Sequence, residues 1–309
     1  MLMSKITDLM QGRYALPTVV FSTFMLVAAS VFLPAIGVLF AFIWTIPAAV
    51  LTAKRGFRLA FFSYPLLFFL LTPFLSPPQS ALVALNVILP ALLFGYGVYK
   101  NFSAVKTLLL TFLGEIISYG ANFTLVYFAV GFTDAATIAE SVGEMQSLKA
   151  YDKELVVETA REIYNLIPFI ITLAAAAVAV IHYNLNAFCC KRLDIKINRF
   201  PPFHLWHFSR WFFFVLAFSV IGIYWGSVHD MLLLYQISVN TFMTVFVLGI
   251  VSGFAFLFFM FERFKISLPF RIAIVTLCFL SFFALEFVAI TGLFDMIFNY
   301  RKFFRENVV

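Results

Sequence analysis

The chain has 309 residues, 63% of them hydrophobic and 12% charged, with a net charge of +6 and a mean hydropathy of +1.00. A soluble domain averages about half apolar and a quarter charged residues, so this composition excludes one soluble core and requires lipid as the solvent. The basic residues stand in short clusters at the ends of apolar runs, not interleaved with aromatics in a polar stretch, which excludes nucleic-acid binding.

Residues 1–15 read as a short amphipathic lead-in. Leu2, Ile6, Leu9 and Met10 have helical spacing, with Lys5 and Arg13 off that face. No small-x-small cleavage site follows, so the next apolar run reads as a retained first span. Span 1 covers about Leu16–Leu33 and is broken by Pro34; span 2 covers Ala35–Ala53 with Pro47 inside it, predicting a kink. Lys54-Arg55-Gly56 and Arg58 place the next turn in the cytoplasm, with the N-terminus on the same side once two spans are counted. Span 3 is Leu59–Leu75. The uncharged Ser76-Pro77-Pro78-Gln79 turn suits the outside, and span 4, Ala81–Tyr99, carries Asn86, Pro90, Gly95 and Gly97.

Span 5, Thr107–Gly131, holds a carboxylate, Glu115, near its middle, and Ser118, Tyr119 and Asn122 follow at helical spacing on one face. A carboxylate at that depth is expensive unless it faces a cavity or a partner. It reads either as a functional site or as a protonated acid that hydrogen-bonds a neighbouring helix.

The stretch Phe132–Asn165 carries seven acids against three bases and reads as an external helical hairpin. Ile138, Val142, Met145 and Leu148 form one apolar stripe, and Val156, Ala160, Ile163 and Ile167 a second. It is either a lid over an external site or a solvated connector. Span 6 is Ile167–Phe188. A basic cytoplasmic linker, 191–210, follows, with Trp206 and Trp211 suited to an interfacial belt. His204 and His207, three apart with no carboxylate beside them, lack a zinc ligand set. Cys189 and Cys190 read as structural, and no Cys/His spacing predicts a metal or a cofactor. Spans 7 to 9 lie at 211–225, within 231–261, and at 272–298. Asn240 stands in span 8, and Glu286, a second intramembrane carboxylate, in span 9. Nine crossings would place the basic tail Arg301, Lys302 and Arg305 outside, so eight crossings plus one interfacial or re-entrant segment agree better with the charge rule.

The expected fold is therefore all-α, a polytopic transmembrane helical bundle of eight to nine spans. Residues 1–190 form a six-helix module, 191–210 a linker, and 211–309 a C-terminal module of two or three helices.

The order Pro34, Pro47, Lys54-Arg55-Gly56, Pro90-Ala91 with Gly95, Pro201-Pro202-Phe203 before Trp206, and Gly292-x-x-Asp295 with Tyr300-Arg301-Lys302 resembles the YybS-like family of multi-pass bacterial membrane proteins. The first half, six spans ending at Lys191-Arg192, is similar to the substrate-binding (S) components of energy-coupling-factor transporters. Span 1 has Ala28 and Ala29 but not the AxxxA spacing of those components, which also lack spans 7 onward. The resemblance implies the bacterial cell membrane, a small-molecule substrate, and coupling and ATPase subunits as partners. Walker A, HExxH, GxSxG and GxGxxG motifs are missing, so no ATPase or hydrolase chemistry is expected in this chain. The candidate substrate-binding residues are Asn86, Tyr96, Glu115, Tyr119, Asn122 and Asn165. The second reading is a membrane scaffold that recruits partners through 189–210 and the 299–309 tail.

Overall fold

The computed structural model describes residues 12, 14–33, 36–130 and 153–306, and all the regular structure among them is helical. The expected amphipathic lead-in up to residue 11 with Arg13, Pro34, the 131–152 part of the expected hairpin, and the extreme tail lie outside the described residues. Among the described residues, seven helical segments, counting Gly37–Arg55 as one, are long and apolar enough to cross a membrane. The chain divides into two compact units, residues 1–133 with 171–200, and 134–170 with 201–309.

The first unit contains α1 (Ala15–Phe32), α2 (Gly37–Ile43), α3 (Ile46–Arg55), α4 (Phe57–Phe61), α5 (Ser63–Leu71), α6 (Pro77–Tyr99), α7 (Ala104–Val130) and most of α9 (Ile167–Arg192). Pro47 does not kink a continuous helix. It sits in the first turn of α3, where a missing N–H costs nothing, so span 2 is a jointed pair meeting at Trp44–Thr45. Span 3 is likewise broken, at Phe62, into α4 and α5. Its roughly 15 residues span about 22 Å at the helical rise, short of a hydrocarbon core. The predicted Ser76–Gln79 turn is also the start of α6, with the Ser76 N–H donating to Gln79 Oε1 at 3.3 Å.

The middle of this unit is α3, buried from Pro47 through Ala53. Small residues let its neighbours close in. A Cβ on Gly95 of α6 would collide with Thr52 and the Ala49 carbonyl. Between α6 and α7, Gly97 faces Thr107 and Gly114 faces Pro90, which fixes an antiparallel register. Leu51, Leu67, Ile88 and Phe94 fill the core, while Phe69 and Phe128 stand 67% and 76% exposed and form the apolar face that lipid solvates.

The second unit holds α8 (Lys153–Asn165), α10 (Trp211–Val228), α11 (Leu232–Arg263), α12 (Leu268–Leu280), α13 (Phe282–Phe298) and α14 (Tyr300–Glu306). On α8 the half-buried positions are Val156, Val157, Ala160, Tyr164 and Asn165, whereas Ile163 of the expected stripe is 54% exposed. Helices α10 and α11 form a hairpin in which Gly226 meets the Tyr235 backbone and Gly222 meets Ser238.

Span 9 is not one straight helix. Helices α12 and α13 meet at Ser281 with a bend of 105°. Phe279 stacks on Phe254 of α11 at 5.0 Å, Leu293 reaches Gly249, and then Tyr300 and Phe304 return to Phe256. The Arg263 guanidinium lies 5.6 Å from the Phe304 ring. The pair thus leaves the Arg263 end of α11, reaches its middle, and the chain comes back toward the same end at Phe304, a bent pair with the geometry of a broken span or a re-entrant loop. Phe203, 5.5 Å from Phe258, lies toward that end too. The basic turn after α11, the 201–210 segment and the start of the basic tail therefore lie toward one end of α11 within this unit.

Candidate functional site

The buried face of α7 is made of polar and small residues: Thr107, Thr111, Gly114, Glu115 and Ser118. Their spacing of three and four residues is one helical stripe. Glu115 lies roughly 17 Å from the start of α7 and 23 Å from its end, deep in any bilayer the helix crosses.

Glu115 is 2% exposed and is met by His182 of α9, also 2% exposed, with Nδ1 2.5 Å from Glu115 Oε1. The other ring nitrogen, Nε2, lies 3.3 Å from the Ala41 carbonyl of α2. A carbonyl only accepts, so Nε2 carries a hydrogen. A second proton must lie between Nδ1 and the carboxyl, since a bare lone pair facing a carboxylate at that distance would repel it. The pair is neutral as a whole, whether written as acid and imidazole or as carboxylate and imidazolium.

Polar groups continue from this pair in both directions. On one side, the Ser118 hydroxyl donates to the Leu85 carbonyl at 3.4 Å, and Asn122 Nδ2 donates to Asn86 Oδ1 at 2.7 Å and to the Ser118 carbonyl at 2.8 Å. On the other, Asn186, one turn beyond His182, accepts from the Thr45 hydroxyl at 3.2 Å. Asn186 Nδ2 and Trp44 Nε1 are buried donors without an acceptor among the described residues.

The six residues expected to bind a substrate do not form one cluster. Glu115, Asn122 and Asn86 belong together on the facing sides of α7 and α6, and half-buried Tyr119 follows Glu115 by one turn. Tyr96 lies ten residues beyond Asn86 on α6, about 15 Å along the axis, packed edge-on against Phe57 and Phe102. Asn165 belongs to the second unit. There its Oδ1 accepts from Gln236 at 2.8 Å, and its carbonyl accepts from Asn240 at 2.7 Å. Asn240 also accepts the Phe169 N–H at 2.7 Å, so it satisfies backbone groups left open at the joint between α8 and α9. That role is structural. Glu286, in the second turn of α13, is half-buried and has no hydrogen-bond or ion-pair partner among the described residues.

His182 was not among the residues expected to act, although a titratable side chain in the middle of span 6, followed four residues on by Asn186, was a legible signal. Arg301, expected on an exposed tail, is 4% exposed. Its Nη2 lies 3.0 Å from Asp295 Oδ2, and its Nη1 donates to the His204 and Trp206 carbonyls at 2.9 and 2.5 Å. Among the described residues, no group of three His, Cys, Asp or Glu side chains is placed to hold a metal ion.

Apolar helices of crossing length around a buried carboxylate–imidazole pair define a polytopic helical membrane protein. The chain belongs to the family described as predicted membrane protein (DUF2232), whose model matches residues 21–296. No curated protein and no solved structure matches it.

Proposed function

We propose that this chain is the solute-binding membrane component of an uptake system, with coupling and ATPase subunits supplied by other chains. The observation that carries the reading is the Glu115–His182 pair, an ionisable couple deep in an apolar helical unit. Such groups are costly in lipid and tend to mark substrate, ion or proton paths. Glu115 accepts a hydrogen bond from a cationic or N–H-bearing part of the solute. Asn186 Nδ2, one turn from His182 and lacking an acceptor, meets a carbonyl or other acceptor on it. Asn86 and Asn122 fix orientation, as a few polar groups do in most small-molecule pockets. The similarity of the first half to S components of energy-coupling-factor transporters supports the same reading, as does the YybS-like motif order for a bacterial cell-membrane location.

The test is native mass spectrometry of the protein gently released from its own membrane. A retained small molecule that is lost in Glu115→Gln and in His182→Ala, but kept in Tyr96→Ala, supports the reading. A small molecule retained equally by all three variants overturns it.

A further inference from the structure

We infer that the second unit holds an anionic-phospholipid headgroup site at the base of the bent α12–α13 pair. Leu205 and His207, before α10, and Asn299, Arg301 and Lys302, after α13, line one recess of about 380 Å³. That volume falls in the range of ordinary ligand pockets. Three of the five lining residues are basic types and none is acidic.

The wall of the recess is built, not loose. Arg301 is anchored to the carbonyls of His204, Trp206 and Ser252 and to Asp295. The His207 ring is tied through Nε2 to the Asp295 carbonyl at 3.2 Å. Asn299 takes the left-handed conformation, with φ of 48°, and turns the chain so that Arg301 and Lys302 come back to His207. These bonds occupy the Arg301 guanidinium and His207 Nε2 and hold the wall rigid, so the exposed Lys302 beside them is the cation that meets an anion, with little further ordering of the wall.

The surroundings choose between a free phosphate and a lipid. The recess lies at the basic end of the unit, where Trp206 and Trp211 mark an interface. Leu205, Phe298 and Phe303 nearby are 40%, 60% and 62% exposed. A phosphate bearing acyl chains uses both the donors and this apolar rim, whereas inorganic phosphate uses only the donors. Basic recesses at the cytoplasmic ends of membrane helices recognise anionic headgroups by this combination.

The test reconstitutes the full chain in nanodiscs of phosphatidylglycerol and phosphatidylcholine in equal parts and counts the lipids retained on release. The wild type should keep phosphatidylglycerol in preference. Lys302→Ala should weaken that retention about fivefold, the effect of one basic residue at a membrane surface, with Lys302→Arg restoring it and Ser267→Ala leaving it unchanged. Equal retention of the two lipids, or retention unaffected by both Lys302→Ala and Lys302→Glu, overturns the site. Displacement by inorganic phosphate alone overturns the lipid assignment.

Discussion

Asp295 and Arg301 stand on either side of the left-handed turn at Asn299, with Oδ2 and Nη2 3.0 Å apart and both side chains sealed from solvent. Through the same guanidinium, the end of the chain is pinned to His204 and Trp206, about a hundred residues earlier. Removing one partner leaves an uncompensated buried charge, which costs about 3–5 kcal/mol. Arg301→Ala and Asp295→Ala should therefore lower thermal stability sharply. Lys302→Ala, at an exposed position beside them, should change it by less than about 0.5 kcal/mol. Melting curves in one detergent compare the three, and a stable Arg301→Ala would show that the clamp contributes nothing. A defect in Arg301→Ala therefore does not by itself argue for a recruiting surface.

The Glu115–His182 pair invites a double-mutant cycle. Each single truncation strands a buried polar partner at about 1–3 kcal/mol. Glu115→Leu with His182→Leu removes both and should cost less than the sum of the single changes, by roughly 0.5–3 kcal/mol of coupling. Additive losses would mean that the two groups do not interact. If the pair binds solute, the double variant should remain inactive even where its stability recovers.

Close backbone approach between α11 and α13 makes Gly292 intolerant of any side chain. A Cβ there meets the Gly249 carbonyl and the Gly253 backbone, neither of which can swing away. Gly292→Ala should destabilise by about 1–3 kcal/mol, as overpacking does. Gly120→Ala, with nothing within 4 Å of the new Cβ, should be neutral or gain up to about 1 kcal/mol from helix propensity. Thermal melts of the two variants in the same detergent check the contrast.

A re-entrant path for α12 and α13 makes a prediction about sides. In a background without Cys189, Cys190 and Cys278, a membrane-impermeant maleimide should label Ser267→Cys and Lys302→Cys from one face and His229→Cys from the other. Labelling of positions 267 and 302 from opposite faces would show that α12 and α13 cross the membrane together.

Much of this was readable in the chain, because lipid imposes simple rules. Apolar length placed most of the long helices, though not the broken span 3, and the helical spacing after Glu115 put Ser118 and Asn122 on one side of α7 with it. What failed had physical causes. His182 lies 67 residues from Glu115, and helical spacing says nothing about partners on another helix. The bend at Ser281 falls inside an apolar run, Leu280-Ser281-Phe282-Phe283, without a proline or charge to announce it. Arg301 looked like a solvated tail residue because its acceptors are backbone carbonyls, which every sequence has and none advertises. Asn165 shared a polar character with Asn86 but not a unit, and composition cannot sort residues between units.

The hydrogen that Nε2 of His182 holds toward the Ala41 carbonyl has an electrical consequence. Moving the remaining proton between Nδ1 and Glu115 changes the polarisation of the couple but not its net charge. A full charge displaced across a bilayer feels about 2.3 kcal/mol per 100 mV, whereas this couple, at rest, is carried by no such force. Membrane voltage therefore exerts no net force on the resting couple and biases only the position of the shared proton along the Nδ1–Glu115 line.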